Sequence, residues 1–129
     1  GKRERIRSIV ESIEPTLTEE DGIVLIARQA DFLPDIVKGI AFGLKPKFPN
    51  LVVVIGSAVG GKPALTVMLG DEIVSRGVDA SKVVREAAKE ISGGGGGQPF
   101  YATAGGKDVA GIEKAIFRAV ELIKTQLKR

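Results

Sequence analysis

The residues of this chain that could do chemistry favour binding over catalysis. The sequence contains no histidine and no cysteine, which removes Ser-His triads, thiolate nucleophiles and the usual zinc ligands. Its carboxylates precede predicted helices or lie on exposed faces, and no close pair of them is typical of a two-metal site. We therefore expect neither a catalytic residue nor a metal site in this chain.

Five consecutive glycines, Gly93–Gly97, are the most informative feature of the sequence. A predicted helix leads directly into them, and an extended, partly aromatic segment follows. Glycine within regular structure costs about 0.5–1 kcal/mol relative to alanine, a cost that is tolerated where the backbone must approach a ligand closely. Two interpretations stay open: a mobile linker, or an ordered loop whose bare N–H groups bind phosphate.

A second glycine pair, Gly105-Gly106, extends the candidate anion site. It precedes the last predicted helix, whose free N–H groups and positive dipole end would attract a phosphate together with the Lys107 ammonium. A tight turn followed by a helix cap at Asp108 is the alternative interpretation.

Aromatic and basic side chains stand on both sides of the five glycines. Tyr101 and Phe100 are candidates for stacking on a nucleobase, although strand alternation turns only one of them outward. Arg85 and Lys89 lie on the polar face of the preceding predicted helix, where they could neutralise phosphates. Such charges also serve merely to solvate a helix face, so each one alone does not identify a binding site.

Residues 56–62 come close to the phosphate-binding pattern G-x-x-x-x-G-K-[ST]. Pro63 stands where that pattern needs a hydroxyl ligand for Mg²⁺, and proline has no N–H to offer a phosphate. A predicted strand follows, so the helix N-terminus that such a loop requires is missing. We interpret this segment as a hairpin turn and expect no ATP site in it.

The composition is compatible with a nucleic-acid partner. Nineteen basic residues against sixteen acidic ones give a net charge of +3 and an isoelectric point near 9.3. The apolar runs are far shorter than the roughly 20 residues that a membrane span needs, and the N-terminus lacks the apolar core of a secretory signal. We expect a cytoplasmic protein with no membrane partner. Because Gly1 stands where a start Met would be, we also expect either a fragment of a longer chain or a trimmed tag.

The apolar periodicity predicts an α/β fold in a single small domain. We expect a mixed sheet of about four strands, at Ile23–Ala27, Leu51–Ile55, Ala64–Leu69 and Pro99–Ala104. Helices are expected to flank it, with N-caps at Asp31, Asp71, Asp79 and Asp108. Residues 1–14 form a predicted N-terminal lead-in helix, and residues 15–129 form the domain that follows it.

From Gly93 to Gly106 the sequence resembles the DHH-associated, nucleic-acid-binding domain at the C-terminus of alanyl-tRNA synthetases, which several DHH phosphoesterases share. The family pattern is a run of glycines, then Arg-Pro, an alanine three residues after that proline, and a closing Gly-Gly. Pro99 and Ala102 stand at matching positions. Gln98 stands where the family usually has arginine, which removes a charge-assisted contact worth about 1.5–3 kcal/mol. The similarity extends over residues 20–127.

The resemblance implies a non-catalytic module that docks on the elbow of tRNA, where the D and T loops meet. There it would support aminoacylation and editing by the rest of an alanine–tRNA ligase, whose ATP, Mg²⁺ and zinc sites lie in other domains. It implies alanine-specific tRNA and the remaining synthetase domains as partners, and in some members a homodimer. The candidate nucleic-acid-binding residues are Arg85, Lys89, Gly93, Gly94, Gly95, Gly96, Gly97, Gln98, Tyr101, Gly105, Gly106 and Lys107.

Two other functions stay open at this stage. The chain could be the substrate-binding half of a DHH-type phosphoesterase, which would need an upstream Asp-His-His metal domain. It could also be mainly a homodimerisation module, in which Ile6, Ile9 and Ile13 of the lead-in helix would form the exposed contact surface.

Overall fold

A computed structural model describes residues 1–128 and shows one six-stranded mixed sheet with helices on both faces. The helices are α1 (Lys2–Ile13), α2 (Pro34–Leu44), α3 (Asp71–Ser75), α4 (Ala80–Ala87) and α5 (Ile112–Leu127). The strands are β1 (Glu19–Glu20), β2 (Ile23–Gln29), β3 (Leu51–Val59), β4 (Lys62–Leu69), β5 (Gly94–Gly97) and β6 (Tyr101–Gly105). The predicted α/β class, the flanking helices and the N-terminal helix are confirmed, while the sheet has six strands rather than four.

The strand order β1-β2-β3-β4-β6-β5 places the glycine strand at one edge of the sheet. β2 and β3 run parallel because α2 connects them, and the other neighbouring pairs are antiparallel. The two strands that the sequence did not predict are both at edges. β1 has only two residues, and β5 consists of glycine, which has a low strand propensity.

Each face of the sheet has its own hydrophobic core. α4 and α5 pack on one face, which we call the α4 face, and α1 and α2 pack on the other, the α2 face. Strand alternation divides β3 between them, since Val52 and Val54 point to the α4 face and Leu51 and Val53 to the α2 face. The two cores therefore share the same central strands.

The lead-in helix α1 packs against α2 instead of presenting a free apolar surface. Its Val10 is buried, and Ile6, Ile9 and Ile13 are half-buried against the core of the α2 face. The expectation that these isoleucines are exposed is therefore wrong, because they pack against the core of the α2 face. Whether the chain forms a homodimer stays a prediction. In the part of the chain that the structure describes, no helix has the length and apolarity that crossing a bilayer requires.

Asp31 does not cap α2 as predicted. That helix begins at Pro34 with Leu33 as its N-cap and no side-chain cap. Asp31 Oδ1 instead accepts hydrogen bonds of 2.9 Å from Gln29 Nε2 and from the backbone N–H of Ala58. These bonds, the one from Gln29 foremost, hold the pKa of the Asp31 carboxyl below its usual value and link the ends of β2 and β3.

Of the other three predicted caps, one is found as predicted, one caps a different turn, and one is absent. Asp79 does cap α4, since its carboxylate accepts a 2.9 Å bond from the N–H of Ser81. Asp108 caps a single 3₁₀ turn that precedes α5. Asp71 caps nothing, because Gly70 occupies the N-cap position of α3 and Asp71 lies inside its first turn.

Candidate nucleic-acid interface

The glycine tract is an ordered edge strand. β5 pairs antiparallel with β6, with Gly94 opposite Gly105 and Gly97 opposite Ala102. A tight hairpin turn joins the two strands, in which the Gln98 N–H donates to the Tyr101 carbonyl at 2.8 Å and the Tyr101 N–H donates back at 3.2 Å. Neither a mobile linker nor a free loop describes this segment.

Close backbone packing explains why these positions are glycine. A Cβ atom added to Gly93, Gly95 or Gly97 would collide with carbonyl oxygens of β6 and its end, those of Gly105, Thr103 and Tyr101 respectively. A Cβ on Gly94 would meet only open space. Alternate glycines are thus required by the approach of β5 to β6, independently of any ligand.

The hairpin also determines which amides of β5 are free. Because Gln98 and Tyr101 form a hydrogen-bonded pair, the alternation of an antiparallel ladder turns the N–H and C=O groups of Gly94 and Gly96 toward β6. The same alternation turns those of Gly95 and Gly97 outward. The N–H of Gly93 is already used, since it donates to the Ala88 carbonyl at 3.0 Å. Two residues, rather than five, therefore offer bare amides at the outer edge.

The turn after β6 has fewer free N–H groups than its sequence suggests. The N–H of Gly106 donates to the Pro63 carbonyl at 3.1 Å, and those of Lys107 and Asp108 both donate to the Ile91 carbonyl, at 2.8 and 3.0 Å. The 3₁₀ turn also separates this segment from the N-terminus of α5. These amides are occupied within the domain, so what remains for a ligand is the exposed Lys107 side chain.

α4 brings Arg85 directly to the glycine strand. An ideal Cβ on Gly96 would lie 3.6 Å from Arg85 Nη2 and 3.7 Å from Ser81 Oγ. Arg85 is exposed, whereas Ser81 is buried and its hydroxyl has no hydrogen-bond partner among the described residues. Lys89, one turn further along, is exposed and lies 3.0 Å from Glu86 Oε2. The Arg85 guanidinium thus lies on the α4 face next to the glycine strand.

Tyr101 lies on the opposite side. Its ring packs on the α2 face, 5.2 Å from the ring of Phe42, with Lys38 Nζ 5.3 Å from its centroid. Its partial burial raises the pKa of the Tyr101 phenol above the usual value. The structure therefore does not place Tyr101 beside Arg85, and its neighbour Phe100 is the more exposed of the two rings.

Three residues of α2 and its C-terminal end extend this second surface, and none of them was among the predicted site residues. Lys45 Nζ lies 4.6 Å from the ring centroid of Phe100 and 5.8 Å from that of Phe42. Lys38, Phe42 and Lys45 recur at i, i+4 and i+7, a spacing that places them on one helix face and could have identified them. We call Lys38, Phe42, Lys45, Phe100 and Tyr101 the aromatic–lysine cluster.

A groove of about 650 Å³ lies at the opposite edge of the sheet, between β1, β2 and the end of α5. Its walls include Glu20, Leu25, Arg76 and Lys124, and it contains none of the candidate residues. Within residues 1–128, His, Cys, Asp and Glu form no group of three or more that could hold a metal ion.

Comparison with known proteins identifies the same family as the glycine pattern. The profile of the DHHA1 domain matches residues 21–129. Alanine–tRNA ligases of Bacteroides thetaiotaomicron and Cytophaga hutchinsonii are 46% and 42% identical over 121 and 124 residues, which is 93% and 94% of this chain. The chain spans 14% of the length of each relative.

A solved structure is similar as well. The C-Ala domain of Aquifex aeolicus alanyl-tRNA synthetase superposes with a TM-score of 0.67 at 29% identity, over 88% of this chain and 98% of that one. The resemblance predicted from the segment between Gly93 and Gly106 is therefore confirmed. The chain belongs to the DHHA1 domain family.

Proposed function

We propose that this chain is the C-terminal, tRNA-binding domain of an alanine–tRNA ligase, and that it binds the tRNA elbow to support aminoacylation and editing by the rest of that enzyme. The observation that carries the proposal is the edge of β5, where Gly96 lies beside the Arg85 guanidinium and its neighbours Gly95 and Gly97 turn their amides outward. Its curated relatives that we compared are alanine–tRNA ligases, which supports the assignment of the parent enzyme.

The chemistry of this edge suits a phosphate backbone. Backbone N–H groups donate to phosphate oxygens, and a strand without side chains lets the ribose–phosphate chain approach them closely. The Arg85 guanidinium adds a bidentate, charge-assisted contact. Lys89 and Lys107 contribute positive charge, and the Gln98 side chain supplies a neutral hydrogen bond near the hairpin turn.

The parent's catalytic sites are assigned to other domains in this proposal. A domain without histidine or cysteine cannot supply the imidazole and thiolate ligands that a zinc-dependent editing site uses. ATP and Mg²⁺ would likewise bind outside this chain. The proposed partners are tRNA for alanine and the remaining domains of the synthetase, in the cytoplasm.

The test is the affinity of the chain for a tRNA for alanine, measured at two salt concentrations. Arg85→Ala should weaken binding by about tenfold to a hundredfold, because a hydrogen bond to a charged group contributes about 1.5–3 kcal/mol. The matched control is Lys124→Ala, which removes the same charge from an exposed position at the opposite edge of the sheet.

Lys124→Ala should change the affinity less than twofold. Equal losses from both variants would show that only net charge matters, and failure of the unmodified chain to bind tRNA at either salt concentration would reject the proposed function.

A further inference from the structure

The aromatic–lysine cluster is a second surface that the proposed phosphate-binding edge does not use. It lies on the α2 face, whereas Arg85 projects from α4 on the other face. Its most exposed ring is that of Phe100, which lies in the turn between β5 and β6. The cluster needs a separate explanation, because it combines partly exposed aromatic rings with two lysines at a surface that the Arg85 edge does not reach.

The rings of the cluster are held in place before any ligand arrives. Phe100 meets Phe42 edge to face, with ring centroids 6.2 Å apart and planes at 81°. Phe42 in turn contacts Tyr101, which is anchored in the core of the α2 face. Even so, 36% of the Phe100 surface stays exposed. The Phe100 ring is thus packed against Phe42 and still partly accessible to a ligand.

The charges around the rings are positive and weakly neutralised. Lys38 forms no ion pair within residues 1–128. Lys45 has one partner, Asp71, at 3.4 Å, whose side chain is 90% exposed, so solvent screens their attraction. Between positions 36 and 70 the sequence has four lysines and no acidic residue. An anion approaching this surface therefore meets little competition.

We propose that the aromatic–lysine cluster binds an unpaired nucleobase of RNA, stacked on Phe100, with Lys38 and Lys45 on the flanking phosphates. The proposal rests on the proposed function and adds to it the part of the RNA that is recognised. A base inside a stem has both faces covered by its neighbours, whereas an unpaired base can turn a free face to a protein ring. A peptide of Asp and Glu alone would match the lysines but offers no ring to stack.

The experiment compares two RNA probes with the same number of nucleotides and therefore the same charge, a stem-loop and a blunt duplex of two shorter complementary strands. The chain should bind the stem-loop more tightly. Phe100→Leu should weaken stem-loop binding by about fivefold to a hundredfold, the range for loss of one stacked base, and should leave duplex binding unchanged. Phe117→Leu is the matched control, because Phe117 is 70% exposed on α5, away from the cluster, and it should have no effect.

Intrinsic fluorescence supplies an independent readout. The chain has a single tyrosine and no tryptophan, so its emission reports on Tyr101 inside the cluster. Binding of the stem-loop should change that emission after correction for RNA absorbance, and binding of the duplex should not. A melting curve for each variant verifies that it is folded.

Charge variants test the contribution of the lysines. Lys38→Gln should reduce the slope of log affinity against log salt by about 0.7, the value for one phosphate of a single strand. Asp71→Asn should tighten stem-loop binding by about twofold at most, because the ion pair that it removes from Lys45 is exposed and weak.

The outcomes separate the two proposals. If Arg85→Ala weakens tRNA binding while Phe100→Leu binds the stem-loop as the unmodified chain does, the cluster proposal is overturned and the proposed function stands. If the unmodified chain binds neither tRNA nor the probes, both are overturned. Displacement of the stem-loop by polyglutamate as readily as by unlabelled RNA would show a charge-only surface and overturn the cluster proposal alone.

Discussion

At the scale of single residues, the glycines of β5 are not equivalent, because a Cβ atom at alternate positions would collide with the backbone of β6. We predict that Gly95→Ala lowers the free energy of unfolding by about 1–3 kcal/mol, the usual cost of forcing extra atoms into a packed site, because its Cβ would meet the backbone of Thr103 and Ala104. Gly94→Ala has open space and should be neutral or stabilising by up to about 1 kcal/mol. Urea unfolding of the two variants measures the difference.

Equal midpoints for these two variants would contradict the register of β5 against β6. A loss in Gly94→Ala alone would place the opposite set of glycines against β6. The comparison also separates structure from function. Gly95→Ala should lose RNA affinity only to the extent that the strand is displaced, whereas Gly94→Ala should keep both the fold and the binding.

Residue types predicted one surface of the domain better than the other. The glycine tract and Arg85 were both identifiable, because glycine runs and basic helix faces are unusual enough to notice. The face of the sheet on which Tyr101 lies could not be identified from the sequence. Strand alternation shows that neighbouring side chains point to opposite faces, but it does not show which helix covers each face. Phe42 and the two lysines beside it went unnoticed because the strong apolar stripe of the same helix explains that segment by itself.

At the scale of elements, the long strands and helices follow from periodicity, whereas β5 follows from tertiary packing. Leu51–Val59 is a strand because branched apolar residues alternate between two cores. Gly94–Gly97 has no such residues, so its strand conformation comes from its hydrogen bonds to β6 and its contact with α4. A sequence window holds no information about those partners, which is why the tract looked like a loop.

The helix caps give a second prediction at the element scale. Asp79→Ala should destabilise the domain by about 1 kcal/mol, because the N–H of Ser81 loses its acceptor at the start of α4. Asp71→Ala should cost less than about 0.5 kcal/mol, since Asp71 caps no helix and its ion pair is exposed. Chemical denaturation of both variants tests the distinction, and equal losses would contradict the assignment of Gly70 as the N-cap of α3.

At the scale of the whole molecule, the two cores are coupled through the strands that they share. β3 and β4 send alternate side chains to the α4 face and the α2 face, so melting either core uncovers one side of the same strands. This coupling makes α1 part of the cooperative unit rather than an appendage, because Val10 is buried against α2 next to Gly43. The proposed phosphate-binding edge and the aromatic–lysine cluster therefore belong to one sheet.

The last prediction tests that coupling. Val10→Ala removes two buried methyl groups, each worth about 0.8 kcal/mol, and should lower the free energy of unfolding by at least about 1.5 kcal/mol. Far-UV circular dichroism, which reports on all helices, and Tyr101 fluorescence, which reports on the α2 face, should shift to the same lower urea midpoint. Ser8→Ala on the exposed side of α1 is the control and should stay within about 0.5 kcal/mol. An early helical transition that leaves the fluorescence unchanged would mean that α1 unfolds separately, and the two surfaces would then belong to a domain that does not need its first helix.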